Sequence, residues 1–285
     1  MDSKRYNTLV RTHHLEDMRE YFNYFDSIKY GTLNFDALWK WSGILDAIFR
    51  LESKVKFDTC VDIGGGLSPI HLILSNYGKV INVDDCSHTD GRCSAWFPVK
   101  DKSVFYEESE GFEYKKENIE YVNSHFIEWI KEVPDNSIDL FVDGCSLIHV
   151  DPTSEYSFHD GVSEVAHHMK RTLKTGGHFI STCDVYNPKL KENYPAIMRN
   201  DGVTYPHLLY NLYVGSGLVP LDEGNYEVEK FYQNYENRVI PVQGAPNHKR
   251  LNPAYSTQKH LPRYHAFQQK QDLPMLIARF VFVKK

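Results

Sequence analysis

Apolar side chains recur at three- and four-residue steps through Leu38, Trp41, Leu45, Ile48 and Phe49, which predicts a helix over 38–51 inside a first segment, 1–56, that reads as helical. From residue 57 the pattern changes. FDTCVDIGGG is a short β-rich run ending in glycines, SPIHLILSNYG is helical, and KVINVDD is a second strand. NIEYVNSHF predicts a third strand, FIEWIKEV a short helix, and SIDLFVDGCSLIHV a fourth strand with a long following loop. A helix over 162–173 then leads through TGG into a fifth strand, GHFISTCDV. Beyond residue 187 the alternation stops. YPHLLYNLYVGSGL is helical, NYEVEKFYQNYENRVIPV is strand-like and LPMLIARFVFVKK is a strong last strand, the latter two suggesting an antiparallel pair. Between them, 241–272 is rich in Pro, Gln and His and reads as an irregular insertion; no internal repeat is visible.

Strands alternating with helices build parallel βαβ units, so the expected fold is α/β with a doubly wound, mostly parallel sheet that holds ligands at the carboxyl ends of its strands. The 285 residues suit one large domain, and 41% hydrophobic with 25% charged residues is ordinary for a globular chain. The net charge of −6 excludes broad attraction to phosphate backbones or anionic membranes, so neither nucleic acid nor membrane is expected as a partner. No apolar leader opens the sequence and no run of about 18 apolar residues interrupts it, so the expected location is cytoplasmic. The five cysteines, Cys60, Cys86, Cys93, Cys145 and Cys183, lack zinc spacing and are expected to be reduced thiols.

Candidate chemistry concentrates between the first strand and the following helix, in Val61-Asp62-Ile63-Gly64-Gly65-Gly66-Leu67-Ser68-Pro69. Glycines there permit positive φ and let a ligand approach backbone that a Cβ would shield. Twenty-two positions after Asp62 the second strand ends in Asp84-Asp85. Adjacent strand ends lie about 5 Å apart, so a carboxylate there can accept both ribose hydroxyls of an adenosine-containing cofactor.

These residues resemble the class I S-adenosylmethionine-dependent methyltransferases over about 57–185. Asp62 to Ser68 is similar to that family's first motif, with Gly64, Gly66 and Ser68 on its small positions, and Asp84 stands where its ribose-binding acid stands. Ile138 to Asp143 resembles the fourth-strand motif, and Leu147-Ile148-His149-Val150 the hydrophobic-His element after it. Leu173-Lys174-Thr175-Gly176-Gly177 is similar to the turn before the fifth strand, with Thr175 in place of the usual proline. The resemblance implies a seven-stranded, Rossmann-like sheet with an N-terminal helical cap (1–56), a cofactor-binding methyltransferase domain (57–285) and S-adenosylmethionine as cofactor. The implied cofactor contacts are Asp62, Gly64, Gly65, Gly66, Ser68, Asp84 and Asp85, with Ser124 and His125 where the family often has an acid near adenine. A nicotinamide enzyme would show GxGxxG, whereas Leu67, Ser68 and Pro69 follow Gly66.

Methyl transfer from a sulfonium aligns an acceptor lone pair with the methyl group and, for a hydroxyl acceptor, removes a proton. His149 is the candidate base, because imidazole titrates near neutrality and its motif position faces the cofactor in the family; packing at the strand end is the competing role. His159 and Asp160 lie in the following loop region. Asp143, the second catalytic candidate, and Asp184 end the fourth and fifth strands. They either ligate a divalent cation such as Mg²⁺, not the favoured reading, or orient the cofactor and cap a loop. No dedicated metal residues are assigned. The insertion 241–272 carries Lys249, Arg250, Lys259, Arg263 and Lys270 against Asp272 alone, 5 − 1 = +4, which suits an anionic or sugar-like small-molecule substrate. Aromatic clusters at 21–25 and 205–213 can form a lid, but such clusters are more often packing.

The expected function is O-methylation of a polar small molecule, a sugar or an anionic, nucleotide-linked glycan precursor. No Asn/Asp-Pro-Pro-Tyr element follows the fourth strand, which disfavours methylation of DNA amino groups. Open alternatives are N-methylation of a small amine or protein, and a non-catalytic cofactor-binding subunit. Oligomeric state is left open.

Overall fold

The computed structural model describes residues 5–10, 35–65, 68–85, 114–147, 158–185, 206–226 and 276–285. In chain order the elements are β1 (Thr8–Val10), α1 (Phe35–Glu52), β2 (Thr59–Ile63), α2 (Ile70–Leu74), β3 (Lys79–Val83), β4 (Ile119–Val122), α3 (Phe126–Glu132), β5 (Ile138–Gly144), α4 (Phe158–Thr172), β6 (Leu173–Val185), α5 (Pro206–Gly215), β7 (Val219–Pro220) and β8 (Leu276–Val283). The predicted first to fifth strands are β2 to β6. Seven strands run in the order β1-β8-β6-β5-β2-β3-β4, and the two-residue β7 pairs with β8. The β4-β3-β2-β5-β6 block is parallel throughout. Strand β8 lies antiparallel to β6, β1 and β7.

The central strands β2 and β5 read as largely apolar runs because both of their faces are covered. On one face Val61, Ile63, Phe141, Phe179, Cys183, Ala278, Phe280 and Phe282 meet α3, α4 and α5; on the other Cys60, Leu140, Val142, Ile180 and Val281 meet α1 and α2. Helix α1 buries Ile44, Leu45, Ala47, Ile48 and Leu51; of the predicted stripe, Leu45 and Ile48 are buried, Trp41 and Phe49 are half-buried, and the Leu38 side chain lies outside the described residues.

The helical reading of 1–56 is corrected at Thr8–Val10, which form the edge strand β1 on β8. The segment just before β1 is fixed largely by side chains, with one backbone bond, Asn225 N donating to Asn7 O at 3.2 Å. Asn7 Nδ2 donates to Val281 O at 3.1 Å while Val281 N donates to Asn7 Oδ1 at 2.8 Å, so one side chain serves β8 as a neighbouring strand would. Asp222 accepts from Asn7 N at 2.8 Å, and Arg279, with a side chain 2% exposed, donates to Tyr6 O, Arg5 O and Gly43 O and pairs with Asp46 of α1. The antiparallel character of β8 is as expected, but its described partners are β6, β1 and β7; most of the stretch expected to pair with it, 227–242, lies outside the described residues. Strand β6 starts earlier than its glycines suggest, because Leu173 pairs with Ile138 before the register shifts and His178 takes up Leu140. That irregularity holds Gly176 at φ +81°.

Candidate cofactor site at the strand ends

The first structural fact of the site is that the chain leaves β2 by a turn with no room for side chains. Gly64 has φ +54°, and a Cβ there would overlap the Ser146 side chain. A Cβ on Gly65 would stand 2.5 Å from Asp62 Oδ2 and 2.8 Å from Asn82 Nδ2. Gly64 N donates to Val83 O at 2.7 Å, so the turn is tied to the last residue of β3 and Asp84 follows directly. Asp84 N in turn donates to Val122 O at 3.0 Å, holding the end of β3 against β4. Asp84 and Asp85 are half-buried. Ser68 Oγ accepts from Ile70 N at 3.1 Å and so closes the start of α2. Gly66 lies outside the described residues. Beyond β4, Ser124 and His125 form the entry to α3, where the His125 carbonyl accepts from Glu128 N and Trp129 N. The structure therefore brings Asp62, Gly64, Gly65, Ser68, Asp84, Asp85, Ser124 and His125 to one edge of the sheet, at the carboxyl ends of three neighbouring parallel strands.

Two buried hydrogen-bonded groups support this edge from opposite faces. Beneath the glycine turn, on the α2 face, Asp62 and Asn82 are register partners, and His71 Nδ1 stands 3.2 Å from Asp62 Oδ2 and 3.0 Å from Asn82 Nδ2. All three are buried.

On the other face Asp143 is 0% exposed. Its Oδ1 accepts from Ser146 N at 2.7 Å and Leu147 N at 3.1 Å, and its Oδ2 accepts from Ser181 Oγ at 2.7 Å. Ser146 Oγ then donates to Gly64 O at 3.0 Å, so Asp143 fixes the loop after β5, and that loop fixes the glycine turn. Burial pushes the Asp143 carboxyl up to about 6 against three donors that pull it down, with the Asp62 charge adding to the rise. Acting on a substrate proton or ligating a metal would take an oxygen of Asp143 that is accessible and uncommitted, and neither oxygen is. Backbone geometry adds strain nearby, since Cys145 has φ +84°.

His149 lies outside the described residues, as do Cys86, Cys93 and the insertion 241–272. His159 and Asp160 fall in the first turn of α4 and Asp184 in β6, opposite Ile277. Among the described residues no three His, Cys, Asp or Glu side chains gather as metal ligands, and no helix is long and apolar enough to cross a membrane. The described cysteines Cys60, Cys145 and Cys183 are buried, and burial raises the Cys60 thiol far above its usual range.

Sequence reasoning missed His71, Asn82, Ser146 and Ser181. Two of them carried a faint signal, a lone histidine in the apolar IHLIL and a lone asparagine in KVINV. The two serines carried none.

The sequence matches no family model and no curated protein. Its structure is similar to that of Haemonchus contortus phosphoethanolamine N-methyltransferase 2 in complex with S-adenosyl-L-methionine, with TM-score 0.51, 15% identity and coverage of 95% of this chain and 59% of the nematode chain. It is also similar to the [4+2]-cyclase SpnF, with TM-score 0.50, 13% identity and coverage of 95% and 92%. A second Haemonchus contortus structure, of the same N-methyltransferase with phosphomonomethylethanolamine and S-adenosylhomocysteine, has TM-score 0.49 at 16% identity, with coverage of 86% of this chain and 52% of that one. This chain thus spans between half and three fifths of the nematode enzyme's length. The fold is that of the class I S-adenosylmethionine-dependent methyltransferases: a mostly parallel Rossmann-like sheet with an antiparallel strand inserted at one side.

Proposed function

We propose that this chain is an S-adenosylmethionine-dependent methyltransferase. The observation that carries the reading is the bond from Gly64 N to Val83 O, which sets Asp84 beside backbone that only glycine can form. A nucleoside needs both features, a carboxylate for its ribose hydroxyls and open backbone for the group on the 5′ side. Bound there, S-adenosylmethionine supplies a methyl group activated by a sulfonium. Asp84 would accept from the ribose, the Gly64–Gly65 backbone would bound the methionine part, and Ser124 and His125 would bound the adenine. Asp143 is assigned to positioning, because its oxygens are committed to Ser146, Leu147 and Ser181. His149 is left as the candidate base.

For the acceptor we keep the hydroxyl of a polar small molecule, a sugar or an anionic, nucleotide-linked glycan precursor. The +4 segment 241–272 and the lack of a Pro-Pro-Tyr element after β5 support it. N-methylation of a small amine is the alternative; the Haemonchus contortus fold neighbour is named as an N-methyltransferase. A cytoplasmic protein that engages neither nucleic acid nor membrane belongs to the same reading.

The test is calorimetric titration with S-adenosylmethionine, S-adenosylhomocysteine and NAD, with and without Mg²⁺. Micromolar binding of the two sulfur nucleosides alone is expected, unchanged by Mg²⁺. Binding of NAD, or of none of the three, refutes the cofactor assignment.

A further inference from the structure

Beneath the glycine turn lies an interaction that the methyl-transfer reading does not itself require. Asp62 on β2 and Asn82 on β3 stand side by side in register, and the first turn of α2 lowers His71 between them. Gly65 rests on this group so closely that a Cβ would touch both the carboxylate and the amide. His71 and Asn82 are 0% exposed and Asp62 is 2% exposed, so water does not substitute for their mutual contacts. The neighbouring residues of α2, Ile70, Leu72, Ile73 and Leu74, are apolar and buried. A histidine in that setting is costly unless its hydrogen bonds have a use.

We propose that His71 is a positioning residue for the cofactor site: its Nδ1–H donates to Asp62 and fixes the carboxylate floor on which the Gly64–Gly65 turn is laid. This rests on the cofactor reading above. One ring nitrogen facing both Asp62 and Asn82 cannot donate to one and accept from the other at the same time. The carboxylate takes the proton, because hydrogen bonds to an ionised acceptor are about twice as strong as neutral ones. Asn82 then presents its carbonyl oxygen to the ring, and that oxygen has no hydrogen-bond partner when the amide nitrogen faces His71 instead. His71 also meets the Tyr121 ring edge-on, with centroids 5.8 Å apart, which holds the imidazole plane from the β4 side.

Two substitutions separate positioning from space-filling. His71→Asn keeps a donor at the same bond distance from Cα as Nδ1 but leaves a gap, whereas His71→Leu keeps the volume and loses the donor. With wild type and both variants confirmed as folded by circular dichroism, S-adenosylmethionine is titrated into each. The expected result is affinity weakened about tenfold or more in His71→Leu and restored to within about threefold in His71→Asn, as loss of a hydrogen bond to a buried carboxylate implies. The opposite order, or equal loss in both, overturns the proposal. Should wild type bind no S-adenosylmethionine, the cofactor reading fails, and amide exchange at Gly65 in the same three proteins decides the positioning role: faster in His71→Leu than in His71→Asn supports it, and any other order overturns it. Should neither variant fold, long-range ¹⁵N correlation spectra of wild type decide it, because an imidazole protonated at Nε2 alone would leave Asp62 without the proposed donor.

Discussion

Replacing Asp143 by Asn should change how stability depends on pH rather than stability at every pH. The carboxyl sits at about 6 in the folded chain, against 3.8 without the fold, because burial penalises its charged form more than three hydrogen bonds favour it. Its folded-state value is raised, so between pH 4 and 6 the native state binds more protons than the unfolded state, and stability falls as pH rises. The difference, 6 − 3.8, is worth about 3 kcal/mol at about 1.4 kcal/mol per unit, fully present below pH 4 and lost above pH 6. Asn removes the titration while keeping the geometry. Its Oδ1 still accepts from Ser146 N and Leu147 N, and its Nδ2 donates to Ser181 Oγ, whose hydroxyl turns to accept. Urea unfolding of both proteins at intervals from pH 4 to 7.5 gives the difference in unfolding free energy, in which titrating groups not coupled to Asp143 cancel. That difference should move by about 3 kcal/mol in favour of Asp143→Asn as pH rises. A flat difference, or one of opposite sign, would mean that the donors outweigh burial and that Asp143 is held as a carboxylate, refuting the reasoning.

The remaining expectations concern the turn and the N-terminal clasp. Asp84→Ala should weaken S-adenosylmethionine about 10- to 100-fold in calorimetry, the loss of a charged acceptor for ribose hydroxyls; near-normal binding would move that contact to Asp85. Gly65→Ala forces a Cβ against Asp62 and Asn82, so it should lower stability by about 1 to 3 kcal/mol in denaturant titration and abolish measurable cofactor binding. Arg279→Met breaks the buried ion pair with Asp46, which keeps Arg50 as a second partner, and removes the Arg279 donors from three backbone carbonyls; it should cost about 3 kcal/mol in the same assay while leaving cofactor affinity of the folded fraction unchanged.

Strands β2, β3 and β5 were legible because each is a largely apolar run between turn residues, as burial on two faces demands, whereas β4, with Glu120 and Tyr121 exposed at the end of the strand order, showed itself by β-branched and aromatic residues alone. Strand β1 was not legible, since three residues carry no periodicity and their pairing depends on Arg279, Ala278 and Ile277, far along the chain. The start of β6 was hidden for a related reason: Lys174 to Gly177 look like a turn, and only the partner Ile138 makes Leu173 part of the strand. In the site, the glycines and Asp84 announced themselves because steric need and charge leave marks in sequence. His71, Asn82, Ser146 and Ser181 are polar residues of ordinary kind whose work is defined by register, such as Asp62 opposite Asn82 and Asp143 opposite Ser181. Register is a property of paired strands, so no single stretch displays it. Asp143 shows the converse, a residue conspicuous in sequence whose burial assigns it to holding a loop.

Strand β8 has one further consequence. It lies between β6 and β1, so among the described strands the sheet closes through residues 276–283, and Thr8 pairs there with Arg279. During synthesis the five parallel strands can assemble before the described strand that covers the β6 edge and pairs with Thr8–Val10 has been made. The nascent chain must shield that edge until nearly all of these residues have been made. Folding should therefore finish in a slow, late step limited by a contact spanning almost the whole sequence, and truncation just before residue 276 should yield aggregation rather than a smaller domain.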